Sequence, residues 1–332
     1  MPVTPPDPSA ETLVADLVAD LVAEVPELAE YVRAAVLLRP AAGSPGVRDS
    51  SVGGPLLWPA GEPWPLCPHP HMARVRKRLT DEEREALERM GRARRERRRS
   101  GRRPPMPPEE AETPDRILDG ASSLDMTTWE RVRWVADTGG PDVPMVPVAQ
   151  LHARDVPGLP RPDGADVLQV LWCPNDHSGL PGQPHYSGPA VELRYRAAAA
   201  VDAVADPPRP HRALDLCLPS SCTVDPVRVA DLPSTDDLPA ALAERARAWA
   251  AARGVDHHRL ACRSGWKVGG RPSRHLTGRV RVDRPSCGAG TRLLLTVGSS
   301  HGGPDVTVGR FGELRVFTCA ADASHPVRLD IQ

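Results

Sequence analysis

VLQVLWCPND at residues 167–176 and ELRVFTCAAD at 313–322 place Leu, Val, Cys and Asp at the same positions. They are the last of four blocks that recur in one order. Val52-Gly53-Gly54 answers to Val268-Gly269-Gly270, Pro65-Leu66-Cys67 to Pro285-Ser286-Cys287, and the apolar run 145–151 to 291–297. The last two blocks keep a constant offset of 146 residues, whereas the first block is displaced farther because a basic segment interrupts the first copy. Self-similarity at a long period marks a duplicated unit. The blocks read as short strands, and the helical patterns stand apart from them. The expected fold is therefore α+β: duplicated, mostly antiparallel β repeats related by a pseudo-two-fold, with peripheral helices.

Outward from these blocks the chain divides into four stretches. Residues 1–40 form an N-terminal helical segment: Leu13, Val14, Leu17, Val18, Leu21 and Val22 share one helical face with acids opposite. Ser9 is placed to cap this helix, and Pro26 to open a second one over 27–38. Residues 41–196 hold the first repeat, interrupted at about 70–143. Within that interruption, residues 73–104 carry 14 Arg or Lys against six Asp or Glu. Thr80-Asp81-Glu82-Glu83 has the form of a capping box, acids lead and arginines trail, so a macrodipole-matched helix running to Gly101 is expected. An Ala/Pro-rich link and a helix from Ser234 to Arg253, stopped by Gly254, fill 197–254. The second repeat occupies 255–332.

Composition bounds the function. The 332 residues include 39 prolines and 27 glycines and carry a net charge of −1, so no global field favours nucleic acid or a membrane. Only Lys77 and Lys267 are lysines among 42 basic residues. No run approaches the roughly 18 apolar residues of a membrane span. The N-terminus lacks the basic start and apolar run of an export signal, so the seven cysteines read as reduced thiols in a cytoplasm.

Three constellations carry chemistry. Cys67, His69 and His71, with Cys173, Asp176 and His177, are two short-spaced sets of the donors that zinc takes in a tetrahedron. With no general base beside an open position, such a site would be structural; otherwise no cofactor is implied. The second copy offers Cys287, Cys319, Asp322 and His325. Buried small thiols and satisfied histidines are the bland alternative. Trp58, Trp64 and Trp172 with Gln150, and the pairs Gly53-Gly54 and Gly269-Gly270, suit a groove for an extended peptide, or equally core aromatics and tight turns. Arg92, Arg94, Arg95, Arg97, Arg98 and Arg99, on a helix expected over 84–103, can track phosphates, although 73–104 lacks a stacking aromatic. A solvated helix, or one held by the acidic first helix, is the simpler account. Gly298-Ser299-Ser300-His301-Gly302 matches a nucleophile elbow in form, but no helical pattern follows it.

SVGGPLLWPAGEPWPLC (51–67), VPVAQLHARDVPGL (146–159), GADVLQVLWCPNDH (164–177) and GWKVGGRPS (265–273), with LLLTV and LRVFTC, resemble the YwqG-like bacterial family. The likeness covers most of residues 30–328 outside the basic insertion, and a more distant one reaches the programmed-cell-death-two and TSR-four proteins. It implies a cytoplasmic, duplicated, largely antiparallel β protein without a settled activity, with chaperone-like or immunity-like relatives. The chain departs from that pattern where Cys287 and Cys319 each lack a second cysteine and where Thr296 replaces an expected glutamine. The expected function is non-catalytic polypeptide binding, with the client unidentified and no membrane partner. The alternatives are an RNA-associated factor using the arginine helix and a metal-dependent enzyme.

Overall fold

The computed structural model describes residues 8–99, 115–121, 123–137, 142–273 and 287–332. The chain divides into two units, 1–69 with 142–332, and 70–141. The fold is α+β, with strands predominating and every ladder between named strands antiparallel.

In the larger unit the chain contributes β1 (Arg33–Leu37), β2 (Ala41–Ala42), β3 (Ser51–Val52), β7 (Val146–His152), β8 (Val167–Leu180), β9 (Gln183–Arg196), β10 (Cys222–Thr223) and β11 (Val227–Asp231). It ends with β12 (Lys267–Gly269), β13 (Thr291–Gly298), β14 (Glu313–Cys319) and β15 (Arg328–Ile331). These form two six-stranded sheets, ordered β2-β10-β3-β7-β8-β9 and β11-β1-β12-β13-β14-β15. Their registers coincide. Val146 faces Trp172 and His152 faces Val167, while Arg292 faces Thr318 and Gly298 faces Glu313, each pair displaced by 146 on both strands. The bulge between Pro147 and Ala149 recurs between Leu293 and Leu295. A bulge adds one residue on one strand and sharpens the local twist, so its recurrence bends both sheets at the same place.

Each sheet also takes in a strand from the stretch preceding the other half. β10 lies between β2 and β3, and β1 lies between β11 and β12. This corrects the expected helix over 27–38. Pro26 opens only a 3-10 turn, Pro26–Glu30, after which the chain extends. Small residues permit this: Ala35 sits opposite Val229 on one side and Gly269 on the other. Bonding at both edges of a central strand outweighs alanine's helical preference.

The inner faces alternate apolar residues, as a sandwich requires. Val148, Leu151, Val170 and Trp172 from the first sheet meet Leu295, Val297, Leu314 and Val316 from the second in one core. Each such side chain contributes about 1.5–3 kcal/mol on burial. A separate helical core joins Val18 and Leu21 of α1 (Pro8–Glu24) to Leu242, Ala246 and Trp249 of α3 (Ala240–Ala252). The acids of the N-terminal segment face this layer: Glu11 pairs with Arg263 at 2.6 Å, Glu27 with Arg245 at 2.6 Å, and Glu24 with Arg253. Gly254, at φ +67°, ends α3 as expected. No helix among the described residues is long and apolar enough to cross a membrane.

The smaller unit holds β4 (His71–Arg78), β5 (Ser123–Asp125) and β6 (Glu130–Asp137), ordered β4-β6-β5, with α2 (Asp81–Arg99) between β4 and β5 in the chain. The capping box forms: Glu83 N donates to Thr80 Oγ1 at 3.3 Å, and Thr80 N donates to the Glu83 carboxylate at 2.9 Å. The basic stretch is nonetheless not helical from its start. Residues 71–78 are a strand whose Arg74, Arg76, Lys77 and Arg78 are exposed, so no alternation of apolar and polar residues announces it. The expected stop at Gly101 lies outside the described residues.

Candidate metal centre

Beneath the outer face of the first sheet, Leu56, Trp58, Met145, Leu171 and Ala190 pack around Cys67 and Cys173. Two elements deliver the thiols. Cys67 is tied to the lead-in of β7, where its N–H donates to the Val143 carbonyl at 2.8 Å and Met145 N donates to the Pro65 carbonyl at 3.0 Å. Cys173 lies on β8, and His177 follows it beyond the irregularity between Trp172 and Asp176, which turns the imidazole back toward the thiols. Cys67 Sγ lies 3.5 Å from His177 Nε2. The two thiols and this imidazole, all buried, have donor atoms within 4.8 Å of one another.

The Cys173 thiol donates to Cys67, and with His177 beside it Cys67 is held far below the ordinary thiol range despite its burial. Cys173 is pushed up for the same reason, because a second negative charge there would face the first. One proton leaves this pair readily and the second does not. A soft divalent cation removes that obstacle by neutralising both sulfurs. Sulfur and imidazole nitrogen are the donors zinc prefers, so the cluster is suited to a metal. His71, the first residue of β4, is also buried. His69 is half-buried, its ring edge-on to His177 with centroids 5.7 Å apart, and Asp176 is exposed; neither belongs to the converging donors.

The corresponding place in the second sheet is built differently. Cys319 stands 146 residues beyond Cys173, at the end of β14, with its Sγ 3.5 Å from Cys287 Sγ. Cys287, Cys319 and His325 converge within 4.8 Å, but Cys287 is exposed. Burial raises the Cys319 thiol, yet the N–H groups of Ala321 and Asp322, then His325 and Cys287, outweigh it and bring Cys319 down to about 7. Asp322 pairs with His325 at 3.7 Å.

The aromatic groove expected from the sequence does not form. Trp58 and Trp172 are buried core residues, and their indole N–H groups donate to the Glu62 carbonyl at 3.1 Å and the Cys217 carbonyl at 2.8 Å. Trp64 packs on Trp58 at 4.9 Å between centroids and donates to the Met145 carbonyl. Gln150 is fully buried. It accepts from Leu57 N at 2.6 Å and Gln169 Nε2 at 3.0 Å, and donates to the Val47 and Asp49 carbonyls. Large indoles lower the free energy most by leaving water, and here internal carbonyls satisfy their one polar group. The glycine pairs serve close approach within the chain. A Cβ at Gly53 (φ +73°) would lie 2.3 Å from the Ser220 carbonyl oxygen, and one at Gly269 (φ +71°) would lie 3.2 Å from that of Ala34. Gly54, at φ +89°, abuts Pro147, and Gly270, at φ +73°, abuts Asp231.

Arg92, Arg94, Arg95 and Arg99 are exposed on α2, where Arg92 pairs with Glu88 at 3.7 Å, and Arg97 is half-buried. The Arg98 side chain and residues 100–103 of the expected helix lie outside the described residues. Of the acids on α1, Glu11 and Glu24 are taken by Arg263 and Arg253 within the larger unit. The Ser299 hydroxyl of the elbow-like stretch donates to the Gly312 carbonyl at 2.7 Å and accepts from Val308 N, so it fastens a loop. No protein-family model matches the chain, and comparison with curated proteins finds no significant relative.

Proposed function

We propose that the chain is a cytoplasmic, non-catalytic module that holds a polypeptide, with a structural zinc ion stapling its first half. The carrying observation is the burial of Cys67, Cys173 and His177 as one donor set. A catalytic zinc keeps a coordination position open to substrate, whereas a structural one is closed by protein donors. The sequence offers His71 as the fourth donor in this reading: it stands four residues after Cys67, as His177 stands four after Cys173, giving paired Cys-x-x-x-His spacings. The resemblance to YwqG-like proteins supports the binding role, and seven cysteines that form no disulfide support a reducing compartment.

Two measurements test this reading. The purified full chain is expected to retain zinc, and chelation or Cys67→Ser/Cys173→Ser is expected to lower Tm by several degrees, since metal affinity adds to folding free energy. Failure to take up zinc, with a Tm indifferent to chelator, would remove the staple. A tagged pulldown split into nuclease-treated and untreated halves tests the client. A stoichiometric protein surviving nuclease supports the module. Loss of every partner turns the function to RNA, where the exposed arginines of α2 become the contact.

A further inference from the structure

The thiols of the second half meet in a way that packing alone does not require. Cys287 and Cys319 bring their Sγ atoms to 3.5 Å, and with His325 they place three donor atoms within 4.8 Å of one another. Separate stretches deliver these groups. Cys319 closes β14, whereas Cys287 precedes β13 in a loop fixed where Ala320 N donates to the Gly290 carbonyl at 2.9 Å. His325 follows on the turn between β14 and β15, its N–H donating to the Asp322 carbonyl at 3.4 Å. A thiol can be buried without such company: Cys217 and Cys222 lie in the core and belong to neither converging donor set among the described residues.

The imidazole is the decisive group. Its Nε2 faces the Asp322 carboxylate at 3.7 Å, while its Nδ1 is buried and has no hydrogen-bond partner among the described residues. A buried nitrogen without a partner is costly, and a bound ion removes that cost. Zinc-binding histidines commonly have a carboxylate behind one ring nitrogen. It keeps the proton on that nitrogen and turns the lone pair of the other toward the metal. Asp322 stands where this arrangement needs it.

The place also recurs in the duplication. Cys319 lies 146 residues beyond Cys173, Cys287 takes the position of Cys67 in the repeat, and an imidazole joins the two sulfurs in each half. Yet His177 stands four residues after Cys173 and His325 six after Cys319. The donors meet by different local routes, so the meeting is a property of the three side chains and not of one copied loop.

We propose that Cys287, Cys319 and His325 bind a second divalent cation of the borderline-soft class, zinc foremost, with Asp322 positioning the imidazole. Two thiolates and a neutral imidazole cancel the charge of such an ion, and the N–H groups of Ala321 and Asp322 donate to Cys319. Magnesium and calcium take oxygen donors instead, which this set does not supply. The site is independent of the staple at Cys67 and Cys173.

The test uses the full chain, reduced, stripped of metal and reloaded with Zn²⁺ or Co²⁺ alone. Bound metal per chain and the thiolate-to-cobalt charge-transfer band are the readouts. Cys287→Ser/His325→Ala is expected to remove one equivalent and its share of the band. Cys287 is exposed and His325 half-exposed, so circular dichroism should match the parent. The Cys67→Ser/Cys173→Ser variant is expected to keep the second equivalent. Asp322→Asn is expected to weaken that equivalent about ten-fold in chelator competition, with Asp322→Glu restoring part of the loss. Equal metal content and band in the parent and in Cys287→Ser/His325→Ala would overturn the proposal, whatever the first site holds. An Asp322→Asn affinity equal to the parent's would overturn the positioning role. Loss of metal in Cys67→Ser/Cys173→Ser alone, with none lost in Cys287→Ser/His325→Ala, would leave the staple and remove this site. The converse would leave this site and remove the staple.

Discussion

The two sheets of the larger unit share a register but fill their buried polar positions with opposite chemistry. Where Ser51, Gln150 and Gln169 face one another across the first sheet, Lys267, Thr296 and Arg315 face one another across the second. The first row is joined by neutral amide hydrogen bonds, Gln169 to Gln150 and Gln150 to the backbone. The second is ionic: Lys267 and Asp231 form a fully buried pair at 2.7 Å, and Arg315 engages Asp330 while donating to the Ser273 carbonyl. The thiol clusters diverge similarly, closed in the first half and reachable through Cys287 in the second. One backbone plan therefore tolerates either chemistry, and in the second row it also tolerates a buried Thr296 hydroxyl with no hydrogen-bond partner among the described residues.

The sharpest way to break this comparison is to remove one member of each row. Asp231→Ala leaves a buried ammonium with, among the described residues, the Arg271 carbonyl alone, and should cost about 3–5 kcal/mol in urea unfolding. Gln150→Ala strands neutral groups and should cost about 1–3 kcal/mol. Equal losses would mean that the ionic row is not special. Next in size are the glycine pairs. Gly53→Ala forces both a left-handed φ and a backbone collision, and should destabilise by more than the roughly 1–2 kcal/mol of the φ alone. Gly269→Ala meets its carbonyl at 3.2 Å and should cost less, while Gly158→Ala, at φ +82° with nothing within 4 Å, isolates the backbone contribution. A reversed order would show that the two pairs are not the same device.

The smallest effect concerns reactivity rather than stability. A thiol lowered to about 7 is ionised at lower pH than an ordinary one. Alkylation of Cys319 should thus rise about ten-fold per pH unit up to about 7 and level off above it. Cys217, which burial pushes up to about 12, should remain unmodified in the same samples by peptide mass mapping. A pair that reacts only above pH 8 would erase the contrast between the two clusters.

Much of this architecture could be read before any coordinates. The matching strands, the capping box at Thr80 and the two cysteines on strand-linked turns are local signals, and each forms. The strand character of β1 is not local. Its acidic, alanine-rich context reads as helix, and the partners that make it a strand are Val227–Asp231 and Lys267–Gly269. The tryptophans failed as a recognition surface because composition cannot distinguish an aromatic lining a groove from one filling a core.

That exchange of first strands bears on how the chain is made. Arg33 must wait for Asp231, and Val36 for Val268, before the second sheet can close. At ordinary rates of synthesis the N-terminal strand leaves the ribosome on the order of 10 s ahead of its partners. During that interval Ala35–Leu38 remain without their ladder. The first sheet has all its strands once β10 emerges, whereas a nascent chain stalled near residue 200 would lack β10 from the first sheet and every strand but β1 from the second.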